Sequence, residues 1–169
     1  STLSTQHSNP KPQVSSLILL HNVSKRYGSG DTTVQAVNQV NLTIQASEFV
    51  LLLGPSGSGK TTLLSLIGGL VQPTNGTIAV AGTDVCSLTP KALAQFRLRQ
   101  IGFVFQFFQL FAALTAQENV EVTLRLGGYP PRTARREAEL LLNRFGLGRR
   151  LRHLPSQLSG GEKQRVAIA

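Results

Sequence analysis

Residues 54–61 read Gly-Pro-Ser-Gly-Ser-Gly-Lys-Thr and fit the pattern G-x-x-x-x-G-K-[ST]. The residue types point to phosphate chemistry. Gly54, Gly57 and Gly59, interspersed with Pro55, Ser56 and Ser58, let the backbone of the loop curl so that its N–H groups face phosphate oxygens, and a helix beginning at Lys60, Thr61 and Thr62 adds a partial positive charge. In such a loop the Lys60 ammonium reaches the β and γ phosphates of a nucleotide, and the Thr61 hydroxyl ligates Mg²⁺. The motif stands directly after the apolar run Phe49–Leu53, which is where a strand–loop–helix phosphate site requires it.

A second constellation lies at the far end, Leu158-Ser-Gly-Gly-Glu-Lys-Gln-Arg165-Val-Ala-Ile-Ala169. Ser159 followed three residues later by Glu162 is a capping box, so a helix starts here. The N–H groups of Gly160 and Gly161 in its first turn make a second place for a phosphate. Two phosphate-directed helix ends in one chain serve different nucleotides, or meet across a dimer.

The segment from Leu158 resembles the signature sequence of ATP-binding cassette (ABC) ATPases. That resemblance implies a head-to-tail homodimer in which Ser159, Gly160, Gly161 and Glu162 of one protomer close on ATP held by residues 54–62 of the other. It extends over about residues 17–169 and implies two further roles. Tyr27 stands where the family places an aromatic that stacks on adenine. Gln106, after Ile-Gly-Phe-Val-Phe, stands where a glutamine touches Mg²⁺ and the attacking water, a catalytic role it shares with Lys60. Phe107, Phe108, Leu110 and Phe111 follow, as core or as the lining of a groove that receives a helix of an integral membrane permease. The stretch from Gln100 to Val120 is most similar to lipoprotein-releasing and macrolide-type exporters, although Phe111-Ala-Ala-Leu departs from their Leu-Pro pattern and leaves the cargo open. Such an ATPase is peripheral to the cytoplasmic face of the inner membrane.

The elements that must hold these residues are legible in outline. Leu17–Val23 and Val34–Ile44 are apolar, β-branched runs separated by Gly28, Gly30 and Asp31, the pattern of an antiparallel hairpin. Phe49–Leu53 reads as a strand buried on both faces, and Thr77–Val80 and Ile101–Phe105 as shorter strands. Helices are predicted from Thr61 to Leu70, from Thr89-Pro90, from the capping box Thr115-Ala-Gln-Glu118 to Gly127, and from Pro131 to Gly146, the last with Leu140, Leu141 and Phe145 as its apolar stripe. The fold class is α/β, implied by the resemblance to be a P-loop NTPase core with an antiparallel β subdomain and a helical subdomain. The expected organisation is a disordered tail over 1–16, a nucleotide-binding core over 17–106 and a helical subdomain over 107–169.

Composition narrows the function. The chain has 169 residues, 41% of them hydrophobic and 15% charged, with one cysteine, Cys86, which excludes a disulfide framework and a cysteine-based zinc site. The net charge of +9 invites a nucleic-acid partner, but 11 of the 17 basic residues lie between Lys91 and Arg152 on predicted helical surface, without interleaved aromatics. No nucleic acid is expected, and 52 residues from Gln106 to Leu158 leave no room for the long coiled coil of chromosome-maintenance ATPases; a soluble ABC ATPase acting on DNA or ribosomes is the alternative. Family members continue past the signature with an Asp-Glu pair and a switch histidine. Here the aspartates are Asp31 and Asp84 and the last histidine is His153, all before the signature. The sequence therefore reads as a fragment of a longer ABC-type ATPase that hydrolyses ATP, and the fragment, lacking the Asp-Glu pair, is expected to have an incomplete core sheet and to be inactive alone.

Overall fold

A computed structural model describes residues 16–169. The tail expected over 1–16 lies outside the described residues except for Ser16, which opens the first strand. The chain divides into two compact units, one up to Arg97 and one from Leu98.

The first unit is built on the predicted hairpin. Strands β1 (Ser16–Tyr27) and β2 (Val34–Gln45) pair antiparallel, with Ile18 opposite Ile44, Leu20 opposite Leu42 and Tyr27 opposite Val34. β1 also pairs antiparallel with β3 (Asn75–Val80), and β3 with the short β4 (Thr83–Asp84), giving the order β2-β1-β3-β4. Alternation along the strands, reset in β1 by the irregularity between Leu20 and Val23 where Asn22 has φ of 49°, brings Leu20, Val23, Val37, Ile78 and Val80 into one core. Leu66 of helix α1 (Lys60–Ile67) and Leu93 of helix α2 (Pro90–Gln100) complete that core.

The second unit is helical. Helix α3 (Ala116–Leu126) starts at the predicted Thr115/Glu118 capping box and stops at Gly127, and α4 (Pro131–Arg144) starts at its proline. Helix α5 (Gly160–Ile168) begins at Ser159. Ala116, Val120, Ala138, Leu142, Leu147, Leu158 and Val166 form the core. Among the described residues, no helix is long and apolar enough to cross a membrane.

Three expectations are corrected. Phe49–Leu53 and Ile101–Phe105 are not strands, and Phe49 and Leu53 are 93% and 81% exposed rather than buried on both faces. Extended backbone becomes a strand only when its N–H and C=O groups meet a neighbour, and among the described residues none pairs with either run. The buried stripe of α4 is Ala134, Ala138 and Leu142, while Leu140 is exposed and Leu141 and Phe145 are only partly buried. Small alanines at i and i+4 allow a close approach that a leucine-weighted stripe does not reveal.

Candidate functional site

The loop 54–59 owes its shape to glycine. Gly57 and Gly59 have φ of 79° and 87°, and Gly59 ends the loop as the left-handed N-cap of α1, with no side-chain cap bond. A Cβ at Gly59 would collide with the carbonyl oxygen of Ala36, so the loop rests backbone to backbone on β2. The first helical bond runs from the Leu63 N–H to the Gly59 carbonyl at 2.8 Å. The amides of Gly57, Gly59, Lys60, Thr61 and Thr62 therefore have no acceptor among the described residues. Lys60 Nζ donates to the carbonyls of Gly54 (2.8 Å) and Pro55 (2.6 Å) and to Ser58 Oγ (3.2 Å), which holds the ammonium at the loop. A cavity of about 470 Å³ adjoins these groups, lined by Val34, Gln35 and Ala36 of β2 and by Ser56, Gly57, Gly59, Lys60, Thr61 and Thr62. No acidic side chain lines it, and the free amides, the helix start and the ammonium all favour an anion.

Tyr27 ends β1 directly opposite Val34, one strand from that cavity. The residue is 42% exposed, and Lys25 Nζ lies 5.1 Å from its ring centroid, a cation held on an aromatic face.

Gln106 belongs to the second unit and lies exposed in the unpaired stretch before α3. The next residues are strained: Phe108 and Gln109 have φ of 53° and 54°, costly for side chains of their size. Phe107 and Phe111 are exposed, Phe108 is half-buried, and Leu110 packs on the core of this unit. Asn119 fixes where the stretch ends. This buried side chain accepts from the Phe111 N–H at 2.7 Å and donates to the carbonyls of Leu114 (3.0 Å) and Thr115 (2.9 Å).

At α5 the capping box is complete. Ser159 Oγ accepts from the Glu162 N–H at 3.3 Å, and Glu162 Oε2 accepts from the Ser159 N–H at 2.8 Å. Buried Leu158 and Val166 anchor the helix on either side of its first turn. The Gly160 and Gly161 amides have no acceptor among the described residues. Helix α3 offers the contrast within the same unit: its equivalent amides, on Ala116 and Gln117, donate to the carbonyls of His153 (2.8 Å) and Leu151 (3.0 Å). Glu162 also receives Arg150 Nε on Oε1 at 2.9 Å, while Arg150 Nη1 lies 3.2 Å from His153 Nε2. The Ser159 N–H first, and then Arg150, hold the Glu162 carboxyl down at about 2.

The structure thus gathers residues 54–62 into one site with Tyr27 one strand away, and gathers Ser159–Glu162 into another on the second unit, which also carries Gln106. Two residues escaped the sequence reading. Arg150 was one of a run of surface arginines, and the only hint was a glutamate 12 residues on in a chain poor in acids. Asn119 was an ordinary polar position inside a helical pattern.

Comparison with known proteins agrees with this geometry. The chain is 48% identical over 153 residues to the macrolide export ATP-binding/permease protein MacB of Hyphomonas neptunium, covering 90% of this chain and 24% of that protein. It is 47% identical over 156 residues to the lipoprotein-releasing system ATP-binding protein LolD of Geobacter metallireducens, covering 92% of this chain and 69% of that protein. The dimeric, post-hydrolysis structure of the ATP-binding cassette MJ0796 bound to ADP and Pi superimposes with a TM-score of 0.81 at 42% identity, over 89% of this chain and 67% of that one. The chain therefore spans about a quarter of the macrolide exporter and about two thirds of the other two. Since the family described as ABC transporter matches residues 37–169, and a relative at 47% identity is covered over most of its length, the chain belongs to the ABC transporter family of P-loop ATPases.

Proposed function

We propose that this chain is the nucleotide-binding part of a transporter ATPase that binds ATP at residues 54–62 and couples its hydrolysis, in a head-to-tail homodimer, to export by a membrane permease at the cytoplasmic face of the inner membrane. The observation that carries the reading is the loop itself: five amides without acceptors and one ammonium converge on one helix start beside a cavity free of acids. Bound ATP with Mg²⁺ supplies the phosphoanhydride to be cleaved and the metal that neutralises its β and γ oxygens. The chain's residues do the binding and orienting. Lys60 would exchange its carbonyl partners for phosphate oxygens, and the amides of Gly57, Gly59, Lys60, Thr61 and Thr62 would hold the remaining phosphate charge. Thr61 would offer its hydroxyl to the metal, Tyr27 would offer its ring face to the base, and Gln106 would orient water and metal. Ser159, Gly160 and Gly161 present their helix start to the nucleotide of a second copy, with Glu162 keeping the cap. Phe107 and Phe111, exposed after Gln106, fit burial by a permease segment.

Titration calorimetry tests the carrying observation. Lys60→Ala should weaken MgATP binding at least about tenfold, equivalent to roughly 1.4 kcal/mol. Equal affinity for variant and parent would overturn the assignment.

A further inference from the structure

We infer that Arg150 is a positioning residue for the start of α5: it takes up the negative charge of Glu162, so that the carboxylate needed for the cap does not oppose the anion that Gly160 and Gly161 are free to bind. The inference rests on the head-to-tail reading proposed above. It starts from a conflict within the capping box. Glu162 must lie over the first turn to accept the Ser159 N–H, and there it places a formal charge among the amides whose use is to face phosphate. A like charge about 4 Å away costs roughly 1 kcal/mol even in water.

Helix α3 is the control. It has the same box, Thr115 with Glu118, but its next two amides are taken by backbone carbonyls, and Glu118 makes no ion pair among the described residues. The helix start closed by the chain has no arginine hydrogen-bonded to its glutamate, on which Arg135 acts only weakly and from beyond contact distance. The start whose amides have no acceptor has Arg150 Nε at 2.9 Å, on Oε1, the oxygen that the cap does not use. Arg150 is held in turn. Its N–H donates to the carbonyl of buried Leu147 at 2.8 Å, and its carbonyl accepts the His153 N–H at 2.9 Å. Arginine cannot accept, so Nη1 can donate to His153 Nε2 only in the tautomer that carries its proton on Nδ1. The Arg150 side chain is 45% exposed, so the pair adds little to folding, and its effect falls on what the helix start can bind.

The test uses the complete ATPase homodimer and reads MgATP turnover, ATP-driven dimerisation and thermal melting. Arg150→Gln should lower kcat/KM for ATP about fivefold, the effect of one uncompensated charge at that distance, with melting unchanged. Arg150→Lys should retain most of the activity. Glu162→Gln keeps the cap, because glutamine also completes the box, and removes the charge. Adding it to Arg150→Gln should bring turnover back to within about twofold of Glu162→Gln alone. A merely structural role for Arg150 predicts no such rescue. Parent-like turnover in Arg150→Gln, or a double variant as slow as Arg150→Gln, would overturn the inference.

Mixed dimers separate this inference from the reading beneath it. Pairing either Ser159→Arg or Arg150→Gln with Lys60→Ala leaves one intact composite site, so both mixtures should regain turnover over their parents. Recovery with Ser159→Arg but not with Arg150→Gln would place Arg150 in its own chain's nucleotide site and sink the inference alone. Recovery with neither would overturn the head-to-tail reading, and the inference with it.

Discussion

Helices α1 and α5 both start with amides available to an anion, and they are built in opposite ways. The start of α1 has no side-chain cap; its shape comes from a left-handed Gly59 pressed against the Ala36 carbonyl of β2, and its charge from Lys60. The start of α5 is capped by its own Ser159 and Glu162, and neither Gly160 nor Gly161 has a positive φ. A Cβ at Gly160 would meet no heavy atom within 4 Å, and one at Gly161 only the Arg165 guanidinium at 3.8 Å. In α1, glycine is required by the fold. In α5 nothing among the described residues requires it, and the open space over Gly160 and Gly161 is what the proposed approach of a second copy's nucleotide would need.

The largest expected effect breaks the α1 side of this comparison. Gly59→Ala forces a side chain into left-handed backbone, which costs about 1–2 kcal/mol before the collision with Ala36 is added. Urea unfolding should show at least that loss, and ATP affinity should fall with it. Gly160→Ala should leave unfolding within about 0.5 kcal/mol of the parent, because the added methyl meets open space. Similar losses in the two variants would mean that the glycines are not distinguished by the fold.

The caps sharpen the comparison at a smaller scale. Thr115→Ala and Ser159→Ala each remove a side chain that accepts an N3 amide, and each should cost about 1 kcal/mol of stability in chemical denaturation. Dimerisation with ATP, followed by light scattering, should respond to Ser159→Ala alone, since the α3 start is closed by the Leu151 and His153 carbonyls. An equal response to both would show that capping in general, rather than the start of α5, controls association.

Features set by neighbours in sequence were legible, and those set by neighbours in space were not. Both capping boxes, Pro90 and Pro131 at helix starts, the stop at Gly127 and the β1–β2 hairpin follow from local chemistry, and all stand as read. Phe49–Leu53 carries strand-like composition, but pairing is a relation with a second segment that no local run contains. The α4 stripe was misplaced for a related reason, because Ala134 and Ala138 are buried for closeness of approach rather than for hydrophobicity. At the site, residues 54–62 and 159–162 were visible as motifs. Arg150 was not, because its meaning depends on a turn at 147–153 that brings it back to Glu162.

The smallest effect is a difference in titration between the two capping glutamates. Both carboxyls lie below the usual value near 4.5: Glu118 is lowered chiefly by the Thr115 N–H and then by the Thr115 hydroxyl, and Glu162 is lowered to about 2 by the Ser159 N–H, then Arg150, then the Ser159 hydroxyl. A carboxyl depressed on folding binds its proton more readily in the unfolded chain. Its contribution is therefore fully present above about 4.5 and is lost as pH falls toward its folded value. For Glu162 that window runs from about 4.5 down to about 2, and Glu162→Gln should flatten the acid limb of stability there. Carbon-13 carboxyl titration should find Glu162 below Glu118 at low salt. In 1 M salt the gap should narrow, because screening weakens the contacting Arg150 at Glu162 more than the distant Arg135 at Glu118, while the cap bonds that both glutamates share are not screened. Coincident titrations at low salt would show that Arg150 adds nothing to the box, leaving the starts of α3 and α5 distinguished only by their free amides.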